Sequence, residues 1–191
     1  MSRLYEIMEH NQQFLEQKGY ERFQTTKFPD KGLVVLSCMD TRLVELLPNA
    51  MNLKNGDFKL IKNAGAIVSH PFGSIMRSIL VAIYELNAKE VCVVGHHDCG
   101  MSAVNPDGMM EKMVEQGISE ETIHVLENAG VDLRKWLKGF NHVADGVKNS
   151  VHMIRNHPLL PKRVAVHGLI IEPHTGKLEI VEDGYPHVSN R

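Results

Sequence analysis

Apolar positions along this chain change their period several times, and each change marks an element. Leu4, Ile7, Met8, Phe14 and Leu15 recur at helical spacing among polar residues, predicting a helix over 2–18 that Gly19 would end. A polar connector with Pro29 fills 20–31. Leu33-Val-Val-Leu36 is then apolar without a break, as a strand covered on both faces of a parallel sheet is. A short helix from Leu43 is expected to stop at Pro48-Asn49, and Asn55-Gly56-Asp57 turns the chain into a second strand at 58–62. Ile75, Ile79, Leu80, Ile83 and Leu86 share one face of a helix over 74–86, and 90–95 is a third, wholly apolar strand. Residues 109–128 read as helix broken near Gly117, with Ser119 capping the second piece. The stretch 129–141 is irregular or short-helical. Val147, Val151 and Ile154 point inward from a helix over 143–156. A fourth strand follows at 163–171, and 177–181 alternates as a strand able to return antiparallel.

Strands alternating with helices imply an α/β fold. The expected sheet is mostly parallel, with about four parallel strands, one antiparallel edge strand and helices on both faces. No repeat or low-complexity linker divides the sequence, so residues 1–191 are read as one domain with 1–30 as an N-terminal helical arm. Hydrophobic content of 43% and charged content of 23% suit a globular protein, and a net charge of -2 gives no support to nucleic-acid or membrane partners. No apolar run nears the roughly 18 residues of a membrane span, and the first residues lack the order of a signal peptide. The expected address is cytoplasmic. The three cysteines, an odd and small number, argue against a disulfide framework. Metal ligand, reactive thiol and apolar filler remain.

The chemistry gathers where two strands end. The first runs into Ser37-Cys38-Met39-Asp40-Thr41-Arg42, and residues spaced by two can face one cavity. Open α/β sheets hold their sites at such strand ends. The third runs into Gly95-His96-His97-Asp98-Cys99-Gly100. If these strands are neighbours, their ends stand about 5 Å apart, which puts Cys38 within reach of Cys99 and of His96 or His97. Two thiolates and an imidazole favour zinc, and three protein ligands leave a fourth position for water whose pKa falls to about 7. Asp40 could accept a hydrogen bond from that water or become the fourth ligand itself, and Arg42 could grip Asp40 bidentately. Each piece alone has a plainer reading: buried filler, a chance His-x-x-Cys, a surface ion pair. Together, at two strand ends, they point to metal chemistry. Cys92, in mid-strand between valines, is read as core. Asn63-Ala64-Gly65 is a small-residue loop that a ligand can approach closely.

These residues resemble the β-class carbonic anhydrases, closest to the short bacterial and archaeal branch. That family's hallmark is Cys-x-Asp-x-Arg followed by His-x-x-Cys. Lys62-Asn63-Ala64-Gly65 is similar to the family's Arg-Asn-Ala-Gly segment, with Lys for Arg, and Val166-His167-Gly168-Leu169 matches its fourth strand. The resemblance implies one Zn2+ per chain on Cys38, His96 and Cys99, with Asp40 and Arg42 catalytic. It also implies proton transfer through His97 or His70, and a substrate-pocket loop at Asn63, Ala64 and Gly65. The implied reaction is reversible hydration of CO2 to bicarbonate and a proton. The implied assembly is a homodimer or dimer of dimers, with the N-terminal helix as a dimer arm. Lys54 is taken to stand where plant-type members carry Gln. The first-strand Trp of the allosteric members is replaced by Val34 or Val35, since the only Trp is Trp136. An open site is therefore expected at neutral pH, with water rather than Asp40 on zinc. Three rivals are carried: hydrolysis of carbonyl sulfide or carbon disulfide on the same site, a non-catalytic structural zinc protein, and a redox pair of Cys38 with Cys99.

Overall fold

The computed structural model describes residues 2–188. The apolar runs become β1 (Leu33–Cys38), β2 (Phe58–Asn63), β3 (Glu90–His96), β4 (Ala165–Ile171) and β5 (Leu178–Glu182). They form one sheet in the order β2-β1-β3-β4-β5, with the first four strands parallel and β5 antiparallel at the edge. Among the described residues the helices are α1 (Arg3–Glu16), α2 (Leu43–Ala50), α3 (Ser74–Tyr84), α4 (Pro106–Glu115), α5 (Glu120–Asn128), α6 (Leu133–Leu137) and α7 (Val143–Arg155).

The unbroken aliphatic character of β1 and β3 follows from cover on both faces. Val34, Leu36, Val91 and Val93 pack into one layer with Ile79 of α3 and Val147, Val151 and Ile154 of α7. Val35, Cys92 and Val94 pack into the other with Leu43 and Leu47 of α2. Each layer removes several branched side chains from water, at about 25 cal/mol per Å² of apolar surface. Cys92 is thus core.

Element boundaries differ in places from those the pattern predicts, each for a local reason. β1 and β3 run on through Cys38 and His96, because the ladder continues there: Cys38 pairs with Asn63 and His96 with Ile171. The chemical residues begin on the strands rather than after them. α2 passes through Pro48 to Ala50 instead of stopping. The helix break does fall between α4 and α5, where the Ser119 side chain accepts the Thr122 N–H. α1 buries none of its residues, and Leu4, Tyr5, Ile7, Met8 and Leu15 are exposed.

α7 lies close against the last turn of β3. A Cβ on Gly95 would stand 2.7 Å from a methyl of Val143 and 2.7 Å from one of Val147. Overpacking of this kind costs about 1–3 kcal/mol. Gly95→Ala should therefore lower the urea midpoint by an amount in that range, and it should perturb the neighbouring His96 position. An unchanged midpoint would show that α7 can shift freely.

Candidate metal centre

The site is made by the register of β1 on β3. Leu33 lies opposite Glu90 and Ser37 opposite Val94, so Cys38 ends its strand almost level with His96. The chain then turns through Asp98, whose φ of 53° is in the left-handed region, and returns Cys99 toward β1. The Cys38 and Cys99 sulfurs are 3.9 Å apart. The ligand atoms of Cys38, His96 and Cys99 all lie within 4.8 Å of one another, and all three residues are buried.

These distances fit zinc. Two sulfurs on a tetrahedral zinc with bonds of about 2.3 Å stand about 3.8 Å apart, whereas a disulfide needs about 2.05 Å. The imidazole is oriented for the same purpose. The His96 Nδ1–H donates to the His97 carbonyl at 2.8 Å, which leaves Nε2 as the bare nitrogen. That Nε2 is buried and has no hydrogen-bond partner among the described residues. A buried bare nitrogen beside two sulfurs is a donor set that fits zinc.

The protein's own groups treat the two sulfurs differently. Burial works against a thiolate at Cys38. The adjoining His96 ring and the N–H groups of Gly65 and Asp40 outweigh it and hold the thiol down to about 7. The Gly65 N–H reaches the sulfur at 3.4 Å. Gly65 has φ +77°, and a Cβ there would press on Met101 at 2.9 Å, so this approach needs glycine. Burial pushes Cys99 up to about 11, with the neighbouring Cys38 charge adding to it and the Met101 N–H opposing. His96 is raised: burial lowers it, but Cys38 and the His97 carbonyl prevail.

Asp40 and Arg42 form the adjoining pair. Arg42 Nη2 donates to Asp40 Oδ2 at 2.8 Å, Nε to Oδ1 at 3.1 Å, and the Arg42 backbone N–H also to Oδ1 at 2.8 Å. This hydrogen bonding holds the Asp40 carboxyl down to about 2, against the effect of burial. Asp40 Oδ2 lies 3.8 Å from His96 Nε2 but is not one of the clustered ligand atoms. Arg42 spans further, with Nη1 on Asp98 Oδ2 at 2.9 Å and Nη2 on the Asp98 carbonyl at 3.1 Å. The sequence reading gave Asp98 no role. Its place between two candidate ligands is the signal that could have found it.

The other nominated residues stand at different distances from the cluster. The His97 ring is partly exposed, with Nε2 3.7 Å from Glu179 of β5. His70 turns Nδ1 onto the Phe72 N–H and borders a separate hollow with Trp136 and Asp132. The Asn63 side chain closes on the Ile67 backbone, while the Asn63 backbone carbonyl accepts the Met39 N–H. Ala64 begins the short turn that carries Gly65. Lys54 does not fit the place assigned to it. It precedes β2, whose start is level with Leu33, at the opposite end of the sheet from Cys38.

Comparison with known proteins agrees with this geometry. A family model described as carbonic anhydrase matches residues 33–178. YvdA of Bacillus subtilis, which carries a provisional carbonic anhydrase name, is 62% identical over 97% of this chain and 94% of its own. The crystal structure of β-carbonic anhydrase isoform I from Trichomonas vaginalis superposes with a TM-score of 0.88 at 38% identity, covering 97% of this chain and 100% of that one. A carbon disulfide hydrolase of Acidithiobacillus thiooxidans is 28% identical over 78% of this chain and 76% of its own.

Metal analysis should find about one zinc per chain, falling close to zero in Cys38→Ser, His96→Ala and Cys99→Ser. Cys99, pushed up to about 11, is a thiol near neutrality and must lose its proton when a metal enters. Zinc titration by calorimetry in two buffers near about pH 8 should therefore release at least about one proton per metal. Proton-neutral uptake would place the metal elsewhere.

Proposed function

This chain belongs to the β-carbonic anhydrase family, and from that premise we propose that it reversibly hydrates CO2 to bicarbonate and a proton. Cys38, His96 and Cys99 would hold a single zinc. The observation that carries the reading is the bare, buried His96 Nε2 facing two sulfurs, with an Arg-held carboxylate 3.8 Å away. Bound zinc supplies a hydroxide-like nucleophile from water near neutral pH. Everything else falls to the chain's own residues.

Asp40 accepts a hydrogen bond from the attacking oxygen and turns a lone pair toward the carbon. Arg42 keeps both carboxylate oxygens engaged, so Asp40 stays ionised and stays off the metal at neutral pH. The turn at Asn63, Ala64 and Gly65 walls the substrate side. His97 is favoured over His70 as the proton carrier, because it adjoins His96 and its ring is partly exposed. We place the active form as a homodimer or dimer of dimers, with residues 1–30 as the arm. Leu4, Ile7, Met8 and Leu15 are an apolar face on α1 that a second copy would cover. The reading puts the chain in a reducing cytoplasm, where Cys38, Cys92 and Cys99 remain thiols or ligands.

The relationship to carbon disulfide hydrolases supports a second reading, hydrolysis of CS2 or carbonyl sulfide by the same residues. CO2 is preferred because the β-carbonic anhydrase whose structure superposes is 38% identical, against 28% for the hydrolase. Stopped-flow CO2 hydration measured beside sulfide release separates the two. Asp40→Asn should keep its zinc and lose CO2 turnover by about a hundredfold or more. Full turnover in that variant would remove Asp40 from the mechanism. Sulfide release without CO2 hydration would favour the second reading, and neither activity in the zinc-loaded wild type would leave a structural zinc protein.

A further inference from the structure

Lys62 lies on the edge strand β2, in register with Ser37 and one residue short of Cys38. Edge-strand lysines ordinarily reach into water, where they discourage pairing with another chain. Lys59 on the same strand follows that habit and donates to the exposed Lys27 carbonyl. Lys62 does not. Its Nζ is buried, with no hydrogen-bond partner among the described residues. Burial disfavours its charge, while the anions acting in its favour are Cys38 and Asp40. Asp40 is already bonded through both oxygens to Arg42 and does not reach the Lys62 ammonium.

A desolvated cation with no acceptor is costly, and a methionine would fill the same space without that cost. A count of charges gives a reason for keeping it. Two thiolates balance a divalent metal, and Arg42 balances Asp40, while its other carboxylate partner, Asp98, stands largely in solvent and is screened there. Lys62 is then the buried positive charge without a partner beside a place where, on the reading above, a neutral substrate becomes an anion. We propose that Lys62 is a charge-supplying residue that sets the site's affinity for anions and favours the negative charge that develops on the reacting molecule, without being a ligand of the metal. This rests on the proposed CO2 chemistry for its purpose, but its physical content is selectivity between charged and neutral ligands.

The test uses cobalt-substituted full-length protein, whose visible absorption reports ligands at the metal, titrated with thiocyanate and with neutral imidazole. Lys62→Gln and Lys62→Met should weaken thiocyanate by about tenfold, the order expected for one unit charge across a partly desolvated gap. Imidazole binding should move less than about twofold, and Lys62→Arg should keep the wild-type pattern. In zinc protein, the neutral variants should raise KM for bicarbonate more than KM for CO2. Unchanged thiocyanate affinity, equal loss of both ligands, or failure of Lys62→Arg to behave as wild type would each overturn the assignment. Failure of both neutral variants to fold while Lys62→Arg folds would give the charge a structural role and overturn it too. Charge-selective binding in a wild-type protein that hydrates no CO2 would support the role of Lys62 and sink the functional reading alone.

Discussion

Everything in the site depends on the parallel pairing of β1 with β3. A shift of one residue in that register would turn the side chains of one strand to the opposite layer. Cys38 would then face away from His96, and both valine sets would lose their packing. The two apolar layers therefore do more than stabilise the sheet. By fixing which residue faces which helix layer, they fix the distance between a thiol and an imidazole 58 positions apart in sequence (96 less 38). The same ladder extends to the last residue of each strand, so Cys38 and His96 are held by backbone hydrogen bonds, while Cys99 is brought back by the turn at Asp98.

Charge is organised around that rigid pair in an order that follows chain position. Arg42 follows β1 and Asp98 follows β3, and their contacts tie the two exits together across the top of the sheet. A guanidinium suits this task because its planar fork can satisfy Asp40 on one edge and Asp98 on another. A lysine could meet one carboxylate but not bridge both with fixed geometry. The bridge also means that Asp40 is oriented from the outside, by a partly exposed arginine, while the sulfurs are oriented from the inside by Gly65 and Met101 N–H groups.

A mostly parallel sheet with one antiparallel edge strand, and the gathering of Cys38, Cys99 and a histidine at strand ends, were legible in the sequence because both rest on period and strand polarity. The neighbouring of β1 and β3 entered as a condition, and His96 rather than His97 through the family resemblance. Two fully apolar runs must be central, and central parallel strands bring their C-terminal ends together. The remainder depends on facts that periodicity does not carry. Lys54 was placed by aligning the turn before the second strand, which says nothing about the end of the sheet at which it lies. Lys62 and Lys59 look alike in an alternating edge strand, yet one ammonium is buried and the other is not. Asp98 takes part only because a left-handed turn directs it back toward Arg42. Nor does periodicity carry ring contacts: His70 accepts the Phe72 N–H, and the His97 ring stands 3.7 Å from Glu179.

The same geometry bears on whether such a site is open or closed. A closed tetrahedron needs a fourth protein ligand, and among the described residues the clustered ligand atoms come from Cys38, His96 and Cys99. Asp40 is the carboxylate at hand, 3.8 Å from the imidazole nitrogen. To bind a metal it would have to release at least one oxygen from Arg42, and Arg42 would keep only part of its bonding, through Asp98. The same hydrogen bonds hold the Asp40 carboxyl down to about 2, so it stands there as a carboxylate. On the proposed reading, Arg42 would set the difference between a structural centre and a reactive one. The sulfurs and imidazole would hold the metal in either case, and by keeping Asp40 the guanidinium would leave a coordination position for water.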